Sequence, residues 1–217
     1  MTWVLGNVAL IRDLLLEHLG FALPPIVIGL VLAVPLGWLA NRTRAGRAVT
    51  INIAGLLYTV PSLALFVLLP PLLGTRILDS ANVLVALTVY TVALLVRTVA
   101  DALSAVPPIV VNSATAMGYT PFRRFAAVEL PLSVPVVVAG LRVAAVSSIS
   151  LVTVGALLGF GGLGKMFTDG FQRDIPAEIL TGIVLVLLLA VVVDGLLLLL
   201  GRVLTPWDRV GAARGGR

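Results

Sequence analysis

An all-α integral membrane protein is the fold class this sequence predicts, with about five transmembrane helices, the N-terminus outside and the C-terminus inside. Three observations carry that expectation. Of the 217 residues 59% are hydrophobic and only 12% are charged, against about 25% charged in soluble domains. Five segments, 21–40, 51–73, 82–100, 132–158 and 178–201, supply the roughly 20 apolar residues that a helix needs to cross a bilayer. The charges also divide by side. With the N-terminus outside, eleven arginines and three carboxylates lie on the inner face, and four basic residues and six carboxylates on the outer. Basic residues concentrate on cytoplasmic loops, so this orientation follows. It assigns the formal +5 to topology and removes nucleic acid as a partner.

The elements follow in order. Residues 1–18 carry Arg12, Asp13 and Glu17 among leucines at helical spacing, which predicts an amphipathic helix lying at the interface. The stretch lacks a basic n-region and a small-residue cleavage site, so no cleaved signal peptide is expected. His18, the only histidine, has no nucleophile or acid beside it and reads as a helix-surface residue. Residues 19–201 form the membrane domain and 202–217 a basic cytoplasmic tail. Trp38 and Trp207, near the inner ends of the first and last spans, suit an interfacial aromatic belt. Within the second span, Tyr58-T-V-P-S-L-A64 brings a proline and hydroxyls. A bent, polar site inside a bundle often lines a cavity, so Tyr58, Pro61, Ser62 and Tyr90 are the candidate pathway residues, against plain packing as the rival reading.

Between the third and fourth spans, residues 107–131 are polar and basic. Pro107 and Pro108 suit the first turn of a short helix, and Gly118 its left-handed C-terminus. Thr120 can cap a second helix and Pro121 can begin it. Two short helices and a turn result, closed by Leu130-Pro131. With Asn112-Ser113-Ala114, Gly118, Val128, Leu130 and Pro131 at their spacing, the loop resembles the cytoplasmic EAA loop of ABC-importer permeases. Neutral Asn112 stands where that family has Glu. The run from Val128 to Arg142, a following G-G-L-G, and T-V-P-S-L-A resemble the osmoprotectant permeases of the type I importer group, those for glycine betaine, carnitine and choline.

That resemblance, which spans the first to the fifth crossing, implies a set of partners and a mechanism. It implies a multi-pass subunit of the bacterial plasma membrane, with no catalytic residues of its own. Two ATP-binding subunits would bind ATP and Mg and receive the 107–131 loop in a groove. A second permease, identical or homologous, would close the pathway, and an extracytoplasmic binding protein would deliver the solute. The rival functions are the same machine with another small solute, such as an amino acid, or an ATP-independent secondary transporter.

Other motifs carry less. Gly159-F-G-G-L-G-K165 matches two phosphate-loop patterns, yet Met166 occupies the magnesium-binding position, no strand precedes it and it lies outside. It reads as a flexible outer connection, with Gly155 and Gly159 as a small-residue packing face on the fourth span. Asp194, isolated in the fifth span, needs a cation or an aqueous face; Arg97 and Arg142 are the available ion-pair partners. There is no cysteine and no metal-ligand constellation.

Overall fold

A computed structural model describes residues 2–207, and the described residues form helices joined by turns, with no strand among them. A short α1 (Thr2–Gly6) leads into α2 (Val8–Ala40), a single helix of 33 residues. At 1.5 Å per residue it is about 50 Å long, well beyond the roughly 30 Å of hydrocarbon in a bilayer. The expected interfacial helix is therefore not separate: residues 8–18 are the outer third of the first span. Gly20 does not interrupt it, since one glycine costs a helix only about 1 kcal/mol. Packing holds the extension in place. Leu14 is buried with Leu163 and Met166, while Trp3, Ile11 and Leu15 pack around them. Arg12 and Asp13 remain exposed and pair with each other at 2.8 Å.

After α2 come α3 (Arg44–Thr59) and α4 (Ser62–Leu73), which meet at an angle of 102°. The continuous span expected over 51–73 is thus broken at its proline. Pro61 has no N–H and disfavours helical geometry in the residue before it, and Val60 accordingly lies at φ −63°, ψ 129°. Beyond Gly74, left-handed at φ +68°, the chain enters α5 (Ser80–Ser104), capped by the Asp79 carboxylate on the Ala81 N–H at 2.9 Å.

Helices α2 and α5 run parallel. A Cβ on Gly29 would lie 2.4 Å from Thr91 Cγ2, and one on Gly37 2.7 Å from Val99 Cγ1; the spacing is the same on both helices, so the close approach runs in one register. At their shared inner end Asn41 Nδ2 donates to Ala100 O at 2.7 Å. Because both helices end on one side, the bent α3–α4 pair between them must cross the membrane once. Arg47, near the start of α3, pairs with Asp101 near the end of α5. At the other face the Asn82 amide donates to Arg76 O at 2.8 Å and its oxygen accepts from Thr75 Oγ1 at 2.5 Å. Four continuous spans and one bent span give five crossings.

From α6 (Pro108–Ala116) the chain turns into α7 (Pro121–Arg124), a π-turn (Phe125–Glu129) and α8 (Leu130–Gly155) without a break. Leu130-Pro131 therefore does not close the loop. Pro131 cannot donate to the preceding turn, and the widened π-turn absorbs the defect: Leu130 N–H bonds Phe125 O, five residues back. α8 lies against α5, where a Cβ on Gly140 would meet Thr98 Cγ2 at 2.4 Å.

After a 3₁₀ turn (Ala156–Leu158) the glycine-rich stretch leads to α9 (Lys165–Gln172) and α10 (Pro176–Leu204). That stretch is held, contrary to the flexible connection expected. Glu17 accepts from Gly162 N–H at 3.0 Å and His18 Nδ1 from Leu163 N–H at 3.2 Å, while His18 Nε2 faces Ile149 O at 3.1 Å. Since the Leu163 main chain can only donate, Nδ1 carries no proton and Nε2–H donates. His18 is thus fully buried, not a surface residue. Gly159 ends the 3₁₀ turn at φ +88°, so it forms no helical packing face with Gly155. The outer leucines and valines of α10 are largely exposed, as suits contact with lipid. Asp208, Arg209, Arg214 and Arg217 of the expected tail lie outside the described residues.

Candidate coupling loop and translocation cleft

The 107–131 loop is a rigid unit. Met117 caps α6, and two bonds close its end: Gly118 N–H to Thr115 O at 3.0 Å and Tyr119 N–H to Ala114 O at 3.2 Å. This paired closure needs a left-handed residue, and Gly118 supplies it at φ +83°. Thr120 Oγ1 then accepts from Arg123 N–H at 3.4 Å and starts α7. Arg124 ties the pieces together. Its Nη1 donates to Thr115 Oγ1 on α6 at 2.8 Å and its Nε to Glu129 Oε1 at 2.6 Å.

The loop is also fixed to the first span. Trp38 stacks on Phe125 with ring centroids 4.8 Å apart and meets Phe122 edge-on at 6.1 Å. The Arg42 guanidinium lies 4.5 Å from the Trp38 ring centre, a favourable cation–π distance. Trp38, expected to anchor in the headgroup layer, thus packs against the loop. Of the residues singled out from sequence, Asn112, Ser113 and Gly118 are exposed, Ala114 is buried, and Val128, Leu130 and Pro131 sit half-buried where the π-turn joins α8. Ser113 Oγ bonds Ile109 O at 2.7 Å. Around Asn112 the loop presents Ile109, Met117 and Phe122, each about two-thirds exposed or more. Sequence reasoning missed Arg124 and Trp38. An arginine nine residues from its threonine has no helical periodicity, and its bond to Glu129 exists only through the π-turn.

A second constellation surrounds the break in α3–α4. The Tyr90 hydroxyl donates to Val60 O, the carbonyl just before Pro61, and the Tyr58 ring meets the Tyr90 ring edge-on, with centroids 6.0 Å apart at 84°. Tyr90 is buried in α5 near mid-depth; Tyr58 is nearly half exposed. Both line a narrow cleft with Thr91, Ser147 and Ser148, among aliphatic side chains and without any charged group. Pro61 sets the elbow, while Ser62 opens α4 outside the cleft lining.

Arg142 and Asp194 join α8 to α10 through a bidentate pair, Nε to Oδ1 and Nη2 to Oδ2, both 2.7 Å. Arg97 does not join them: it lies 3.9 Å from Asp101, one turn along α5, in an exposed pair.

Residues 25–205 match the family of binding-protein-dependent transport system inner membrane components. The chain belongs to that family. Such a component is a multi-pass protein of the plasma membrane and a transport permease. The chain is 34% identical over 190 residues to the choline transport system permease protein OpuBB of Bacillus subtilis, covering 88% of this chain and 86% of that one. It is 33% identical over 207 residues to the osmoprotectant import permease protein OsmW of Salmonella typhimurium, covering 94% and 96%. Among solved structures, an inward-facing conformation of the MetNI methionine ABC transporter superposes with a TM-score of 0.80 at 26% identity, covering 92% of this chain and 98% of that one. The helical bundle is thus the architecture of an ABC-importer permease.

Proposed function

We propose that this permease imports quaternary-amine osmoprotectants, namely glycine betaine, carnitine and choline, driven by ATP hydrolysis in a separate partner subunit. The observation that carries the reading is the uncharged cleft with its tyrosine pair at the elbow of the bent span. A trimethylammonium group has no N–H to donate, so hydrogen-bond acceptors cannot select it. Aromatic rings can attract it through their quadrupoles. A path for such a cation needs weak contacts of this kind, with tight capture left to the extracytoplasmic binding protein. The relatives named for choline, carnitine and osmoprotectants support the same cargo.

In this reading two ATP-binding subunits, which hold ATP and Mg, each receive one coupling loop, and a second permease completes the pathway. Asn112, Ser113 and Ala114 lie on the docking helix α6, with Ile109, Met117 and Phe122 as its apolar anchors. Gly118 sets the turn, and Val128, Leu130 and Pro131 pass the motion into α8. Asn112 lacks the charge of the family's Glu, which removes one polar contact and leaves the apolar ones. The bundle would tilt between outward-facing and inward-facing states, each bound by the ATPase with different affinity, as any coupled switch requires.

Reconstitution with the ATPase and a loaded binding protein tests the cargo: ATP-dependent uptake of labelled glycine betaine, carnitine or choline is expected. Uptake of none of them, or uptake without any ATPase subunit, rejects the reading.

A further inference from the structure

Five hydroxyl groups line the cleft, and they are not equivalent. Thr91 Oγ1 donates to Leu87 O at 2.8 Å, Ser148 Oγ to Ala22 O at 3.2 Å, and Tyr90 to Val60 O. Those three are committed to main-chain carbonyls. The hydroxyls of Tyr58 and Ser147 form no hydrogen bond with any described residue. They come from different spans, α3 and α8, and face one cleft whose remaining lining is aliphatic or already bonded. Both side chains stay accessible from the cleft mouth, Tyr58 nearly half exposed and Ser147 partly so, which leaves their protons available to a passing solute.

We infer that Ser147, assisted by the Tyr58 hydroxyl, is a specificity-determining residue for the passing solute, donating to its carboxylate while the Tyr58 and Tyr90 rings face its trimethylammonium group. The inference rests on the quaternary-amine reading above and adds to it a ranking among cargoes. With no arginine or lysine in the cleft, a carboxylate can be met there only by neutral donors. A donor bonded to a carboxylate forms a charge-assisted bond about twice as strong as a neutral one. Glycine betaine and carnitine carry a carboxylate; choline carries a hydroxyl and can make only the neutral bond. Removing the Ser147 donor therefore costs the first two more than the third.

The test is uptake into proteoliposomes holding the complete transporter, at saturating loaded binding protein, with labelled glycine betaine, carnitine and choline compared in parallel. Ser147→Ala is expected to slow glycine betaine and carnitine about tenfold and choline less than about threefold, the gap between a charge-assisted and a neutral bond. Ser147→Thr, which keeps the hydroxyl, restores the ratio. Tyr58→Phe lowers it in the same direction, and Tyr58→Leu, which removes the ring as well, slows all three. A merely structural serine would slow every cargo alike. An unchanged ratio, or an equal fall for all three, overturns the inference while leaving the cargo reading intact. If the unaltered transporter moves none of the three, the cargo reading fails first and the inference falls with it.

Discussion

The Trp38 ring lies on the Phe125 ring at a centroid separation of 4.8 Å and an interplanar angle of 28°, so the end of the first span and the 107–131 loop share one stacked contact. A stacked pair contributes about 0.5–1.5 kcal/mol beyond the area it buries. That is too little to decide folding and enough to loosen a joint. Trp38→Ala is expected to leave membrane insertion intact and to lower transport per ATP hydrolysed. Parallel assays of uptake and ATPase rate check this, and Trp38→Phe should recover most of the coupling. A proportional fall in both rates would refute the joint.

Arg124 holds two partners at once, Thr115 and Glu129, and the Glu129 side chain is only 12% exposed. Arg124→Ala leaves that carboxylate without its partner at a cost of about 1 kcal/mol or more, since Arg124 itself is a quarter exposed and partly screened. Arg124→Lys cannot span both acceptors from one ammonium. Thermal unfolding in detergent should rank the intact protein above Lys and Lys above Ala. Adding Glu129→Gln to Arg124→Ala should recover part of the loss, because the stranded charge is gone.

One methyl group placed at two neighbouring glycines should have unequal effects. On Gly161 a Cβ would fall 1.9 Å from Glu17 Oε2, the far end of a long, exposed side chain. The carboxylate can swing away, giving up its bond to Gly162 at about 1 kcal/mol. On Gly164 the Cβ would fall 2.6 Å from Thr153 O and 2.7 Å from Thr153 Cα, and main chain cannot swing. Gly164→Ala is expected to cost about 3 kcal/mol or more and to show as a sharp loss of folded yield. Equal yields for the two variants would contradict this placement.

The Arg142–Asp194 pair makes a directional prediction. Asp194→Asn or Arg142→Gln alone leaves one charge without its partner at the junction of two spans, and should reduce the amount of folded protein in membranes. The exchanged pair, Arg142→Asp with Asp194→Arg, should recover more of it than either single exchange. Quantitative blotting of the membrane fraction reads all of these, and a double exchange no better than the single ones would deny the pairing.

Hydropathy was enough to read five crossings, because it is summed over many residues and tolerates local error. Pro61 likewise announced a disturbance in the second span. What escaped were contacts between distant residues. His18 looked like a surface histidine because its partners, Ile149 and Leu163, are more than 130 positions away. The separate interfacial helix failed for a related reason: the leucines around Arg12 and Asp13 signal an apolar face, and nothing local tells whether lipid or α9 covers it. Trp38 shows the same limit, since a belt tryptophan and a loop-packing tryptophan occupy the same place in the sequence. In the cleft, Tyr58 and Tyr90 stood out by type, whereas Ser147 is one of several serines on α8 and is distinguished only by having no bond.

The bent span and the turn after it meet α5 by polar contacts at three heights: Arg47 with Asp101 and Ser104 below, Val60 with Tyr90 in the middle, and Thr75 and Arg76 with Asn82 above. Such a member behaves like a bow pinned at both tips and tied once to its stave. Cutting the middle tie would let the elbow swing sideways while the tips hold their places, so the width of the cleft can change without any span sliding along the membrane normal.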